Sequence, residues 1–195
     1  MDQQTDTRSH ILQVGRRLTA QRGYTGVGLS ELLTEAGVPK GSFYHYFSSK
    51  EAYGCALLKA FVDDYQTRLA ASLDHPGMNG RERFLAYFAD WHRNQVSSNL
   101  QDRCLVVKLA AEVADLSDTM SDILKSGVSR IVDRLALTLR QGNEDGSVAF
   151  IAHPDALAWS IYNQWLGASL VASLSRSDAP LVAAMKDTRE RIPAG

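Results

Sequence analysis

The stretch VPKGSFYHYFSSKEA, residues 38–52, sets four aromatic rings and a histidine in five consecutive positions, Phe43, Tyr44, His45, Tyr46 and Phe47, behind a Pro-Lys-Gly opening. Proline holds φ near the helical value and is tolerated in a first helical turn, so Pro39 ends the preceding helix and can begin the next one. The spacing predicts a short helix over residues 40–47. Phe43 and Phe47, four apart, share a face and read as its anchor to neighbouring helices, the first and the fourth of the chain. Tyr44, His45 and Tyr46 fall on the remaining arc. Ser48 or Ser49 then caps a new helix whose first turn carries Glu51.

Upstream, Ile11, Val14 and Leu18, with Leu12 beside them, give helical spacing to residues 7–21; Thr5 or Asp6 supplies a cap and Gly23 a stop. A second short helix covers residues 29–36. In the turn AGVPKG, Gly37 allows a backbone that a Cβ would hinder. Three helices thus fit in the first fifty residues, the second and third separated by a glycine-containing turn, which is the helix-turn-helix layout. Helix 40–47 is then the one that enters a DNA groove. Small Gly41 and Ser42 let the backbone approach, and amides at the helix start can meet a phosphate. Lys40 and Lys50 add charge, Ser42 a donor, Tyr44 and Tyr46 hydroxyls for phosphate, and His45 a contact to base or phosphate. Singly, each lysine reads as a solvated charge and each tyrosine as a half-buried core ring. Their coincidence on one short helix after this turn points to DNA.

Composition sets bounds on that reading. The 195 residues are 45% hydrophobic and 22% charged, the balance of an ordinary globular chain, and the net charge of -1 gives no overall basic signal for nucleic acid. Any such signal must be local, and the first fifty residues hold six Lys or Arg against four Asp or Glu. Two cysteines, Cys55 and Cys104, make neither a disulfide scaffold nor a zinc cluster, and no metal or other cofactor is expected. The opening MDQQTDTRSH does not read as a signal peptide, so a cytoplasmic location is expected. Residues 156–175, ALAWSIYNQWLGASLVASLS, carry no formal charge, but Asn163, Gln164 and several serines are costly in lipid, and no membrane span is expected.

The rest reads as helices. Leu57, Phe61, Tyr65, Leu69 and Leu73 recur every fourth residue, so the helix that starts near residue 50 runs to about residue 72. Further helices are expected over 80–96, 104–116, 117–142, from Pro154 through the uncharged segment, and near the C-terminus. The fold class is all-α, with a helix-turn-helix head (residues 1–50) and a helical ligand and dimerisation body (51–195). The uncharged helix has one apolar side of Leu157, Ile161, Trp165 and Ala168, and another of Trp159, Tyr162, Leu166 and Leu170. A helix apolar on two sides must be covered on two sides, once by its own core and once by a second copy. Leu157, Ile161, Trp165 and Ala168 are the candidates for that homodimer contact. Trp91, His92, Tyr162 and Trp165 are candidates for an effector pocket, although the same rings would serve as core.

If its helix starts near residue 102, Cys104 lies in the first turn, after Arg103 and four residues before Lys108. Such a setting favours thiolate, the form that attacks electrophiles and is oxidised. Cysteine is also a common small core residue, and both readings stand on the residues alone. Cys55, beside the head, reads as packing. A cysteine enzyme with Cys104 as nucleophile and His92 as base lacks a third orienting group.

The segment 27–57, VGLSELLTEAGVPKGSFYHYFSSKEAYGCAL, resembles the DNA-binding region of the TetR family of bacterial transcriptional regulators. The resemblance spans roughly residues 8–58. It rests on Ser30, on Ala36-Gly37-Val38, on the run from Lys40 to Phe47, and on Ser49-Lys50-Glu51. It implies an all-helical homodimer that reads a palindromic double-stranded operator and usually represses. By that resemblance Ser30, Lys40, Gly41, Ser42, Tyr44, His45, Tyr46 and Lys50 are the operator-facing residues. RCLVVKLAAEVADLS and WLGASLVASLSRS are similar to a narrower group, the NemR-type regulators, and more loosely to regulators of acrylate metabolism. In the NemR type the cysteine matching Cys104 reacts with electrophiles and oxidants. A late-helix lysine assists the oxidised cysteine there, and Ser173 stands at its place in this chain. Other relatives with the same Cys-Leu pair bind small organic ligands.

Overall fold

The structure, a computed structural model, describes the backbone of residues 3–195 and the side chains from Thr7 onward. The described elements are helical: α1 (Gln3–Arg22), α2 (Leu29–Ala36), α3 (Lys40–Tyr46), α4 (Lys50–Leu73), α5 (Gly80–Val96), α6 (Leu105–Leu116), α7 (Asp118–Glu144), α8 (Pro154–Ser175) and α9 (Ala179–Arg191). A single 3₁₀ turn, Leu100–Asp102, precedes α6. Helix α1 begins ahead of the expected residue 7, and the Thr5 and Asp6 side chains, expected as caps, lie outside the described residues. Two compact units emerge, Met1–Asp64 with Ser98–Ser126, and Tyr65–Ser97 with Gly127–Gly195, so α4 and α7 each contribute to both.

In the first unit, α2 ends at Gly37, whose φ of 63° is the left-handed conformation that glycine adopts without penalty. Helix α3 comes directly after it and is fastened by rings. Phe43 and Phe47 meet Tyr53 of α4 at centroid distances of 5.6 and 5.3 Å, and the Arg8 guanidinium of α1 lies 5.4 Å over Phe47. The expected anchoring to the first and fourth helices is therefore found; each ring pair contributes about 0.5–1.5 kcal/mol beyond area burial. Ser49, one of the two expected caps, accepts the Ala52 amide at 2.9 Å and starts α4. His10 Nε2 lies 3.1 Å from the Ala36 carbonyl, and Arg17–Glu35 and Arg22–Glu31 ion pairs join α1 to α2.

In the second unit, α5 starts at the expected Gly80 because Asn79 and Glu82 form a reciprocal capping box. The core is aromatic, and its indole donors are satisfied. Trp91 donates to Ser169 Oγ at 2.9 Å and Trp165 to Thr188 Oγ1 at 3.0 Å, while Phe88 packs on Trp165. These bonds decide which side of α8 faces inward, and they correct one expectation. Ile161 and Trp165 are both 0% exposed within their own protomer, so neither can meet a second copy. Leu157 and Ala168 are half-buried. The apolar side chains that α8 leaves outside are Trp159, Leu170, Val171 and Leu174, the last 76% exposed, and α9 adds Val182. Among the described residues, no helix is long and apolar enough to cross a membrane.

Candidate nucleic-acid interface and thiol site

Helix α3 is amphipathic by ring identity. Its inner side is Phe43, fully buried, followed by Phe47 at the C-cap. Its outer side holds Lys40, Gly41, Tyr44 and His45, all exposed, with Tyr44 at 47%. Ser42 and Tyr46 are half-buried. Tyr44 and Tyr46 are steadied by edge-on contacts to Phe43 and His45 at 5.4 and 5.0 Å. A Cβ built on Gly41 would meet no atom within 4 Å. Nothing inside the protein demands glycine there. The Ser42 and Phe43 amides both turn to the Pro39 carbonyl, at 3.0 and 3.3 Å, so neither is aimed outward at a phosphate.

Flanking groups extend this outer side. Ser30 is exposed in the first turn of α2; it does not cap that helix, whose N-cap is Gly28. The Lys50 ammonium rests 5.3 Å over the Tyr24 ring, and the Tyr24 hydroxyl donates to the Lys50 carbonyl at 2.6 Å. Burial, with Cys55 and Glu51 nearby, pushes the Tyr24 phenol up to about 12. Of the head's six Lys and Arg, Arg16, Arg17 and Arg22 are paired with Asp64, Glu35 and Glu31, while the exposed Arg8 lies over the Phe47 ring.

Cys104 is the N-cap of α6 and is half-buried. The chain on either side of it is bound to the head helices. Before it, the 3₁₀ turn packs on α1. Eight residues after it, about 12 Å along the helix, Glu112 accepts both the amide and the hydroxyl of Thr25, at 3.0 and 2.9 Å. Thr25 belongs to the α1–α2 connection. Gly23, in the same connection, has φ 79°, and a Cβ on it would stand 2.1 Å from Glu112 Oε1. At the far end of α6, Ser117 donates to Glu51 of α4 at 2.5 Å. Glu112 and Thr25 were not among the residues expected from sequence; only Gly23, a helix stop in the left-handed region, hinted that this connection is constrained. Cys55 is held as a neutral thiol, its ionisation pushed up by burial and by Glu51. That agrees with its reading as packing.

Of the four residues expected to line an effector pocket, three form one ring cluster, with Trp91 5.4 Å from Tyr162 and 6.0 Å from Trp165. Trp91 borders a cleft of about 300 Å³ between α4 and α5. Tyr162 and Trp165 are fully buried, and His92 faces Asp178 just ahead of α9 at 3.5 Å. Ser173 is exposed; it donates to the Ser169 carbonyl and accepts from Gln95.

Comparison with known proteins agrees with this architecture. Residues 11–52 match the family described as bacterial regulatory proteins, tetR family, and residues 80–188 match the tetracyclin repressor-like C-terminal domain. The HTH-type transcriptional repressor NemR of Escherichia coli is 43% identical over 187 residues, 96% of this chain and 94% of that protein. The HTH-type transcriptional repressor DhaR of Mycobacterium sp. is 31% identical, covering 91% and 87% of the two chains. The crystal structure of reduced E. coli NemR superimposes with a TM-score of 0.92 over 97% of this chain and 98% of that one. An N-terminal helix-turn-helix joined to a helical regulatory body, matched along nearly its whole length, places this chain in the TetR family: it is a DNA-binding, homodimeric transcriptional regulator and not an enzyme.

Proposed function

We propose that the chain is a repressor that releases its operator when Cys104 is modified by an electrophile or an oxidant. The carrying observation is the position of Cys104. It caps a helix that belongs to the same compact unit as α3, and that helix is bonded to the α1–α2 connection through Glu112 and to α4 through Ser117. The 43% identity to NemR, whose solved structure is named as a reduced form, supports a thiol whose chemical state matters.

In this reading residues 1–50 bind DNA and residues 51–195 regulate and dimerise. Lys40, Gly41, Ser42, Tyr44, His45 and Tyr46 enter the major groove, with Ser30 and Lys50 on flanking backbone. A second copy covers the strip of Trp159, Leu170, Val171 and Leu174 on α8 and presents a second α3 to the other half of a palindrome, about 34 Å along the duplex or a multiple of it. Addition of the Cys104 sulfur to an unsaturated carbonyl forms one C–S bond, and the thiol proton ends on the neighbouring carbon. The added bulk sits at the start of α6. Because α6 is bonded to the head at Thr25, a shift of α6 moves the α1–α2 connection. A change of about 1.4 kcal/mol in the preference for the DNA-competent arrangement alters operator affinity tenfold. Ser173 carries no amine, so a cysteine–lysine linkage at that position is not part of the mechanism.

The test is operator release by the wild type and by Cys104→Ser across quinones, aldehydes, oxidants and unreactive carboxylic acids. Wild type should release with the reactive compounds alone, and Cys104→Ser should bind the operator and not respond. A response that persists in Cys104→Ser overturns the thiol reading and assigns the signal to a ligand held without a covalent bond.

A further inference from the structure

We infer, on the reading that the outer strip of α8 carries the dimer contact, that Phe150 in the α7–α8 connection is a second anchor of that contact and seats on the C-terminal end of the other protomer's α8, beside the partner's Leu174. Phe150 is 84% exposed, the most exposed large apolar side chain among the described residues. Slackness of the loop does not explain its display. The Ala149 amide donates to the Pro193 carbonyl at 3.0 Å. On the other side, the Ile151 amide donates to Asn143 Oδ1 at 3.1 Å, and Asn143 Nδ2 donates to the Ile151 carbonyl at 3.0 Å. A ring shown on a backbone fixed on both sides loses little freedom when a partner covers it.

The occupant is a second copy of this chain. A stable interface takes about 20–30 residues a side, more than one helix face supplies. The exposed strip of α8 is Trp159, Asn163, Gly167, Leu170, Val171 and Leu174, spaced to share one side. Helix α9 adds Val182, and the connection adds Phe150, four residues ahead of Pro154. The strip is uneven. Its C-terminal end is aliphatic, with Leu170, Val171 and Leu174. Its N-terminal end holds the Trp159 ring, with Phe150 just before the helix. Its middle, Asn163 and Gly167, lacks bulk. In a twofold contact, residue i meets j and j meets i. Parallel helices would set rings on rings and aliphatic chains on aliphatic chains, wedging one end apart. Antiparallel helices set rings against aliphatic chains at both ends, keep the spacing even and oppose the helix dipoles. Pairing Trp159 with the partner's Leu170 brings the partner's Leu174 level with Asp155, beside the loop that carries Phe150.

The test uses full-length chains in which Cys55→Ser and Cys104→Ser remove the native thiols. One chain carries Phe150→Cys and another, differently tagged, carries Leu174→Cys; co-expression gives mixed dimers, which are treated with a short bis-maleimide. The mixed dimer should crosslink, and dimers of either chain alone should not. Crosslinking of the Leu174→Cys chain to itself, or none in the mixed dimer, overturns the assignment. Sedimentation of Phe150→Ser with both native cysteines present gives a second measure. Its circular dichroism should match wild type, and its dimer dissociation constant should rise roughly tenfold or more, the scale of an interface hot spot. An unchanged constant overturns the anchor. Leu170→Glu with Leu174→Glu separates the two readings. If that variant is monomeric while Phe150→Ser dimerises like wild type, the anchor alone fails. If it stays dimeric, the α8 strip fails and the anchor with it.

Discussion

Replacing Glu112 with alanine removes the side chain through which α6 holds the α1–α2 connection. Two hydrogen bonds are lost, from the Thr25 amide at 3.0 Å and from its hydroxyl at 2.9 Å, both to a carboxylate. A bond to a charged group is worth about 1.5–3 kcal/mol when shielded from water. Glu112 is half-buried and Thr25 exposed, so solvent competes for both bonds, and about 1.5 kcal/mol is the expected total. For a chain of 195 residues that corresponds to a fall in Tm of about 3–6 °C, read by circular dichroism. Gly23→Ala provides an internal check. Its Cβ would strike the Glu112 carboxylate, so that part of its cost should vanish in Glu112→Ala, while the strain of a Cβ at φ 79° should remain. The functional consequence is sharper than the thermal one. Glu112→Ala should still bind operator, yet release it much less when Cys104 is alkylated, because the helix that feels the adduct no longer grips the head. An unchanged Tm together with a wild-type release response would refute the role given to α6.

Other outcomes are expected from the same geometry. Tyr44→Ala and His45→Ala should leave Tm nearly unchanged and weaken operator binding roughly tenfold each, measured by fluorescence anisotropy, while Phe43→Ala should cost about 3–5 kcal/mol of stability. Leu170→Glu combined with Leu174→Glu should give a folded monomer in sedimentation experiments, whereas Trp165→Ala should unfold the body, because Trp165 is core and Leu174 is surface. The Tyr24 phenol is raised from an ordinary 10.0 to about 12, chiefly by burial. A raised acid stabilises the fold fully below its unfolded value and loses that contribution as pH climbs to the folded value. Stability should therefore fall between pH 10 and about 12, and Tyr24→Phe should flatten that part of the profile at the expense of the bond to Lys50.

Much of this was legible in the chain because local chemistry decides it. Pro39, the glycine at 37 and the four-residue spacing of Phe43 and Phe47 fix α3 without distant help, and Asn79 with Glu82 fixes the start of α5. The facing of α8 was not legible. With apolar residues on two sides and no charge to mark the outside, its orientation is settled by partners far along the chain: Thr188 for Trp165, and Trp91 for Ser169. Those bonds turned Ile161 and Trp165 into the protomer's own core. The Thr25–Glu112 contact joins residues 87 positions apart, and no local pattern announces it.

Hydrogen exchange at the Thr25 amide, followed as Cys104 is alkylated, most directly tests transmission from the thiol to the DNA-binding helices. Its protection should change in step with adduct formation and operator release, and in Glu112→Ala, where the amide has lost its acceptor, alkylation should leave exchange unchanged. Full alkylation and full release with the Thr25 amide as protected as before would contradict a signal carried by α6.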